Sequence, residues 1–370
     1  MLRYEQLSFW EKRAYTEDID YVVIGAGIVG MTCALSLKKR HTKRKILILE
    51  RGYLPTGAST KNAGFACFGS PSELLDDLEK MTHDEVWSTL QLRYEGLQKL
   101  FELVPKRAVQ YHMCGSWDLV PHPNKIDQGT LAFLNDAVCR VTGLQDTFIE
   151  DHKKIKKSHL LGFDFAYKNR FEGSIDTAAL IEALYLDCIK KGIKFLFANE
   201  VHAIESKAIR TQYGRISVDK IAVCTNAFAQ QLFPLEVRPA RAQVVVTSPI
   251  SDLKINGTFH FDAGYYYFRN VGNRVLFGGG RNLDFEAERT SSQETTPALQ
   301  SHLKNLLIAN ILPNQSFDIA YAWAGTLGVG KSKEPIVKLL HDDLAVGVRM
   351  GGMGVAIGAQ VGEKLSQLLK

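Results

Sequence analysis

The sequence predicts an α/β protein of two domains, and three observations predict it. An apolar run, Asp20-Tyr21-Val22-Val23-Ile24, breaks at a turn carrying Gly25, Gly27 and Gly30; a helical run follows, then Lys45-Ile46-Leu47-Ile48-Leu49-Glu50 as a second strand. Between Val237 and Phe277 the pattern becomes β-rich, with Ala242-Gln243-Val244-Val245-Val246-Thr247, Tyr265-Tyr266-Tyr267-Phe268-Arg269 and Arg274-Val275-Leu276-Phe277 as strands. Near the C-terminus, Leu344-Ala345-Val346-Gly347-Val348 and Gly351-Gly352-Met353-Gly354 repeat the opening order of strand, glycine turn and helix. A chain of 370 residues also exceeds the usual size of one hydrophobic core.

Each glycine of the opening unit has a physical reason. Gly25 makes the tight turn, Gly27 lets the backbone approach a pyrophosphate, and Gly30 lets helix and strand pack closely. The helix N-terminus supplies free N–H groups and partial positive charge for phosphates. Glu50 lies twenty positions beyond Gly30, where a dinucleotide site needs a carboxylate for a ribose hydroxyl. Strand, turn, helix, second strand and acid together predict dinucleotide binding and leave the dinucleotide open.

Composition excludes several classes. The formal net charge is +5, and the one dense basic run, Lys38 to Lys45, closes the first helix, where cations complement the helix dipole; nucleic-acid binding is not expected. The six cysteines include no CxxC pair, which argues against a metal site or a disulfide framework and for a reducing cytoplasm. No stretch has the length and apolarity of a signal peptide or membrane span, so the reading is a soluble, cytoplasmic protein.

In chain order, Ser8-Phe9-Trp10-Glu11-Lys12-Arg13 reads as an arm whose aromatic residues pack on the main body. The stretch from Arg51 to Ala66, small, polar and glycine-rich, reads as a surface loop or as a backbone-rich lining for a flat cofactor. Ser70 to Val104 has helical spacing, with Leu74, Leu75, Leu78 and Met81 in one stripe and Leu90, Leu92, Leu97, Leu100 and Phe101 in another. His112 reads as structural. Asp176 caps a helix over Thr177 to Lys191, with Leu180, Ile181, Leu184, Leu186 and Ile189 expected on its buried side and Gly192 as its stop. Strands follow at Phe195-Leu196-Phe197, Glu200-Val201-His202-Ala203-Ile204 and within Lys220 to Ala229, which feeds a turn of small residues. In the β-rich part Tyr265 and Tyr267 share one face and Tyr266 and Phe268 the other, and one pair is expected to line a cavity.

With these motifs in this order, including the Gly57 to Gly64 loop, the Gly173-Ser174-Ile175-Asp176 helix start and the glycine-ended strand Val275 to Gly280, the chain resembles the D-amino-acid-oxidase-like FAD-dependent oxidoreductases. Its arm is similar to that of the γ-glutamylputrescine oxidase branch, and glycine oxidases lie in the same resemblance. The resemblance implies an FAD-binding Rossmann-like domain of the GR2 type, split in sequence over 1–75, 150–232 and 322–370. It also implies an α+β substrate domain over 76–149 and 233–321 with a mixed, largely antiparallel sheet. Carried over, Gly25, Ala26, Gly27, Ile28 and Gly30 hold the pyrophosphate, Glu50 the ribose, and Arg51 and Val201 the adenine end. Ser59, Thr60, Asn62 and Gly64 lie along the isoalloxazine. Thr225 joins the cofactor contacts, and Gly351, Gly352, Met353 and Gly354 form the turn that approaches the flavin's pyrimidine carbonyl.

The implied chemistry is oxidation of a C–N bond in an amine or amino acid by hydride transfer to flavin N5, with the imine then hydrolysed and oxygen or a quinone accepting the electrons. Tyr265, Tyr267 and Arg281 are the pocket candidates. The Arg-Pro pair that family members often carry after Trp-x-Gly is missing here, where Trp323-Ala324-Gly325-Thr326-Leu327-Gly328 stands, so either Arg281, Arg349 or Arg269 substitutes as a carboxylate clamp or the substrate carries its carboxylate elsewhere. Lys61, Lys331 and Lys333 are candidate charges for oxygen activation, or simply exposed lysines. No late cysteine, and no histidine in the Gly57 to Gly64 loop, is available for a covalent flavin link, so dissociable FAD is expected. The alternatives are FAD-dependent modification of a tRNA nucleoside, disfavoured by the lack of a basic stripe, and a non-enzymatic flavin-bound assembly factor.

Overall fold

A computed structural model describes residues 3–370. Its first sheet runs in the order Ile336–His341, Leu344–Val348, Gly214–Val223, Ile19–Ile24, Ile46–Leu49, Lys194–Leu196. Every pairing in that row is parallel except the outermost, between Ile336–His341 and Leu344–Val348. Ile19–Ile24 is central and buried on both faces, as its unbroken apolar run requires. Tyr21 and Val23 face a helical layer of Ile28–Arg40, Gly354–Leu368, Thr177–Lys190 and His83–Leu103. Val22 and Ile24 face the opposite side, covered by the hairpin Val201–Glu205 and Ala208–Thr211 and by Val237.

The second sheet has the order Ile319–Val329, Arg238–Thr247, Arg274–Gly279, Tyr266–Val271, Thr258–Phe261, Ser116–Val120, Phe165–Asn169, Phe148–Glu150. It is antiparallel throughout except where Thr258–Phe261 runs parallel to Ser116–Val120, the mixed sheet expected. Alternation gives it two chemically different faces. One is apolar and packs under the helix Pro297–Leu306, with cross-strand rings stacked at 4.7 Å for Phe259 and Phe268 and at 4.8 Å for Phe261 and Tyr266. The other turns polar groups toward the first domain: Asp118 accepts from the N–H and hydroxyl of Ser72, Arg269 donates to the Ile175 carbonyl, and Trp323 Nε1 donates to the Lys61 carbonyl.

Several expectations are corrected here. The arm is a short helix, Phe9–Tyr15, with no buried residue: Phe9 and Trp10 are 62% and 68% exposed, and Arg13 rather than the protein body covers their rings. What packs is Tyr4, whose ring meets Tyr213 and whose hydroxyl bonds Asn199. In the helix Thr177–Lys190, Leu186 and Ile189 are 46% and 44% exposed, because the face in contact with Ile28–Arg40 is carried by Leu180, Ile181, Leu184 and Cys188. The expected boundaries also shift. Strands Phe165–Asn169 and Ile319–Val329 belong to the second sheet, where pairing with Ser116–Val120 and Arg238–Thr247 holds them. Helix His83–Leu103 packs in the first domain, with Gly96 against the Ala356 carbonyl. Tyr266 and Phe268 are core residues.

Candidate cofactor and substrate site

A cavity of about 1320 Å³, its mouth included, opens at the C-terminal edge of the parallel strands, the position where open α/β sheets bind ligands. The Gly25 to Gly30 turn sits at its middle. Gly25 has φ of 106° and is pinned on both sides: its N–H donates to the Leu49 carbonyl at 2.7 Å, and an added Cβ would meet the Cys224 carbonyl at 2.9 Å. A Cβ on Gly30 would run into the Gly25 carbonyl, which is why the helix Ile28–Arg40 can start so close to its strand. The N-terminus of this helix lines the cavity through Gly27, Ile28 and Val29, and that of Gly354–Leu368 lines it through Gly352, Gly354 and Val355. Two helix N-termini on one cavity suit an anionic ligand.

The Glu50 carboxylate faces this cavity with its oxygens accepting from the N–H groups of Ala26 and Gly52, each at 3.0 Å, and retains lone pairs for a hydroxyl donor. At one end the Arg51 guanidinium lies 3.8 Å from the centre of the Phe228 ring, a flat platform with Val201 beside it. Ser59 accepts from the N–H of Ile28 at 3.0 Å, so the Gly57–Gly64 loop is tied to the helix start. That loop holds a single helical turn, Ala58–Lys61, and Asn62 accepts from the Gly64 N–H at 2.8 Å to fix the turn that follows. The buried hydroxyl of Thr225 lines the cavity with no hydrogen-bond partner. An orphaned polar atom, glycines that leave no room for a Cβ and paired helix N-termini all fit a bound dinucleotide such as FAD.

Of the cofactor residues expected from sequence, Gly25, Gly27, Ile28, Glu50, Arg51, Ser59, Asn62, Val201, Thr225, Gly352 and Gly354 line the cavity together. Ala26, Gly30, Thr60, Gly64, Gly351 and Met353 stand behind that lining as the turns that shape it. Sequence reasoning passed over Asn226, Phe228, Leu327 and Met350, which also line it. Asn226 adopts φ of 48°, and its Oδ1 accepts from the N–H groups of Arg349 and Met350 at 3.1 and 3.2 Å, joining the two ends of the cavity wall. Its place directly after the strand Gly214–Val223 was the available signal.

Tyr267 and Arg281 fall outside that cavity, in a corner on the polar face of the second sheet; Tyr265 also falls outside it, in the turn before Tyr266–Val271, half-buried against the apolar cluster of the other face. The Tyr267 ring meets Phe65 edge to face at 5.8 Å and shares a cluster with Trp323 and Ala63. Burial pushes its phenol up to about 12, with Arg281 pulling the other way. The corner is roofed by residues 281–296. Lys61 Nζ donates to Gln293 Oε1 at 2.7 Å, and a buried pair, Arg241 and Glu288, anchors this strap to the sheet at 2.8 Å. Burial holds both the Lys61 ammonium and the Arg281 guanidinium below their usual ranges.

Of the other candidate cations, Arg349 and Lys333 are paired with carboxylates. Arg349 is taken out of the corner by an ion pair to Glu236 at 2.9 Å and a bond to the Glu334 carbonyl. Lys333 is held by Glu73 and Asp77, where burial would raise Glu73 but Arg93 and Lys333 bring it down to about 2. Lys331 stands at the exposed end of the Ile319–Val329 strand, its N–H on Glu236. The Arg269 guanidinium lies against Gly64, one terminal nitrogen donating to the Ile175 carbonyl at 3.0 Å while its buried Nε has no partner.

Comparison with known proteins follows this geometry. A family model described as "FAD dependent oxidoreductase" (DAO) matches residues 20–368. A "Probable oxidoreductase OrdL" of Haemophilus influenzae is 22% identical over 377 residues, covering 95% of this chain and 83% of the relative. Among solved structures, L-proline dehydrogenase from P. horikoshii aligns with a TM-score of 0.75 at 18% identity, covering 96% of this chain and 94% of that one. Glycine oxidase from Geobacillus kaustophilus gives 0.73 at 18% identity, covering 95% and 94%. Likeness at these identities is likeness of fold.

Proposed function

Since the chain belongs to the family of FAD-dependent oxidoreductases described by the DAO model, we propose that it binds FAD without a covalent link and oxidises the C–N bond of a small amine or amino acid. The observation that carries this reading is the junction of two sites by one loop. The Gly57–Gly64 loop lines the large cavity through Ser59 and Asn62 and reaches the tyrosine corner through Lys61. Bound FAD would supply the two-electron acceptor.

The protein's own part is binding and orientation. The N-termini of Ile28–Arg40 and Gly354–Leu368 stabilise anionic groups at the middle and at the far end of the cavity. Trp323, Phe65 and Tyr267 make a dry wall that holds a substrate carbon and excludes water. Tyr267, kept as a neutral phenol, offers a hydrogen bond to the substrate. Loss of two electrons and two protons from the amine leaves an imine, which water hydrolyses to a carbonyl compound, and oxygen or a quinone takes the electrons onward. No helix among the described residues is long and apolar enough to cross a membrane. The test is the visible spectrum of the purified protein, followed by anaerobic mixing with amines, N-methyl amino acids and D-amino acids. Flavin bands bleached by one of them support the reading, and a protein that neither retains nor takes up FAD overturns it.

A further inference from the structure

We propose that the protein docks on an anionic lipid bilayer through a face beside the second sheet, where exposed lysines accompany two protruding apolar side chains. The proposal stands apart from the oxidoreductase reading, because binding is measured without substrate.

Three segments build this face, and the fold ties them together. They are the short helix Lys153–Lys157 with the turn after it, the loop 252–256, and the π-helical turn Leu307–Ile311. Lys154 Nζ donates to the Asn256 carbonyl at 2.6 Å. The Leu161 N–H donates to the Asn310 carbonyl at 2.9 Å, and Asn310 Nδ2 returns a bond to the Leu161 carbonyl at 3.0 Å. Lys153, Lys156, Lys157 and Lys254 are exposed here, and no ion pair among the described residues engages them. Two exposed carboxylates lie on or next to these segments: Asp252, and Asp164, which accepts from the His122 N–H at 2.7 Å. Leu161, four residues past Lys157, is 53% exposed, and Ile308, on the turn bonded to Leu161, is 51% exposed. The π-helical turn, a form often found at functional sites, buries Leu307 and Ile311 while leaving Ile308 outward.

A groove of about 240 Å³, its mouth included, runs between the segments, with Ser158, His159, Lys254 and Gln315 among its lining. The buried Ser158 hydroxyl in its wall has no hydrogen-bond partner. The groove thus places an unused donor beside a cation, the combination that a phosphodiester oxygen satisfies.

The residue types select a bilayer over a protein partner. Protein interfaces are enriched in aromatic residues and arginine and depleted in lysine. The exposed residues of these three segments include no arginine, tyrosine, tryptophan or phenylalanine. A second copy of the same face is repelled by like charge. Lysines that keep their ammonium groups among lipid headgroups, with a leucine and an isoleucine reaching the acyl boundary, match an anionic bilayer. Each such lysine contributes roughly fivefold to partitioning.

The test is co-sedimentation of the FAD-loaded protein with vesicles of phosphatidylcholine, alone or with about 30% phosphatidylglycerol, at low and high salt. The parent should bind the anionic vesicles only, and less as salt rises. Replacing Lys153, Lys156, Lys157 and Lys254 together by glutamine should weaken that binding roughly 100-fold or more. The same change at Lys39, Lys43, Lys190 and Lys207, four exposed lysines around the first sheet, removes equal charge and should cost less than about threefold. Leu161→Ser with Ile308→Ser should weaken binding roughly tenfold at either salt. No binding to anionic vesicles, equal binding to both kinds, or equal loss from the two lysine sets overturns the proposal. Retention by polyglutamate through the same four lysines, without vesicle binding, assigns the face to an acidic protein instead and overturns it as well.

Discussion

Replacing Gly25 by alanine tests the cofactor turn at the point where it is least free to adjust. The residue has φ of 106°, a region that costs a side-chain-bearing residue about 1–3 kcal/mol. The new Cβ would also stand 2.9 Å from the Cys224 carbonyl oxygen. Neither partner can retreat. Cys224 is held by its N–H on the Ile24 carbonyl at 2.9 Å, and Gly25 by its own N–H on Leu49 at 2.7 Å, so both neighbouring strands fix the turn. Taking dihedral strain and contact together gives about 3 kcal/mol, a fall of roughly 4 °C in melting temperature. If the peptide turns to relieve the strain, it pulls the Ala26 N–H off Glu50 and shifts the Gly27 backbone that lines the cavity, and FAD affinity drops at least tenfold, about 1.4 kcal/mol. Gly57→Ala is the control: it has φ of −81° and no atom within 4 Å of an added Cβ. The assays are thermal melting with and without FAD and a flavin-fluorescence titration. A Gly25→Ala protein with the parent's melting temperature and FAD affinity would refute the reasoning, as would a Gly57→Ala protein whose FAD-free melting temperature falls equally.

Thr225→Val removes a buried hydroxyl that has no partner, so the protein without FAD should melt no lower than the parent while FAD binds several-fold more weakly in the same titration. Glu73 is lowered from 4.5 to about 2, so its stabilisation is fully present above the unfolded value and is lost as pH falls through the folded one. Urea titrations of the parent and Glu73→Gln should therefore differ by about 3 kcal/mol above pH 4.5 and converge toward pH 2; a gap that does not change with pH contradicts this. Because burial pushes Tyr267 up to about 12, its phenol stays protonated through the alkaline range, and Tyr267→Phe should lower the rate of flavin bleaching without moving the alkaline limb of its pH profile.

The cofactor half of the site was legible because its signals are local. Gly25, Gly27, Gly30 and Glu50 lie within one βαβ unit, and each glycine answers a clash that sequence spacing already implies. The substrate half was not. Tyr265 and Tyr267 could be assigned to one face, but which face was dry depended on the pairing of Thr258–Phe261, a strand too short to announce itself, with both Tyr266–Val271 and Ser116–Val120. Three arginines were equivalent in the sequence until Glu236 and the Ile175 carbonyl, distant along the chain, claimed Arg349 and Arg269. Leu186 and Ile189 fit a helical stripe and still face solvent, since the stripe is wider than the neighbouring helix it packs against.

The position of the central strand also bears on biosynthesis. Ile19–Ile24 finds one neighbour, Ile46–Leu49, almost at once, but its other neighbour is Gly214–Val223, and Leu344–Val348 beyond it is made later still. At roughly 5–20 residues per second a ribosome needs on the order of 10–40 s to deliver that second neighbour. Through this interval an apolar strand edge stands open beside the nascent chain, a template for wrong pairing. Slower translation or warmer growth should therefore lower the soluble yield of this chain before either affects the activity of the molecules that fold.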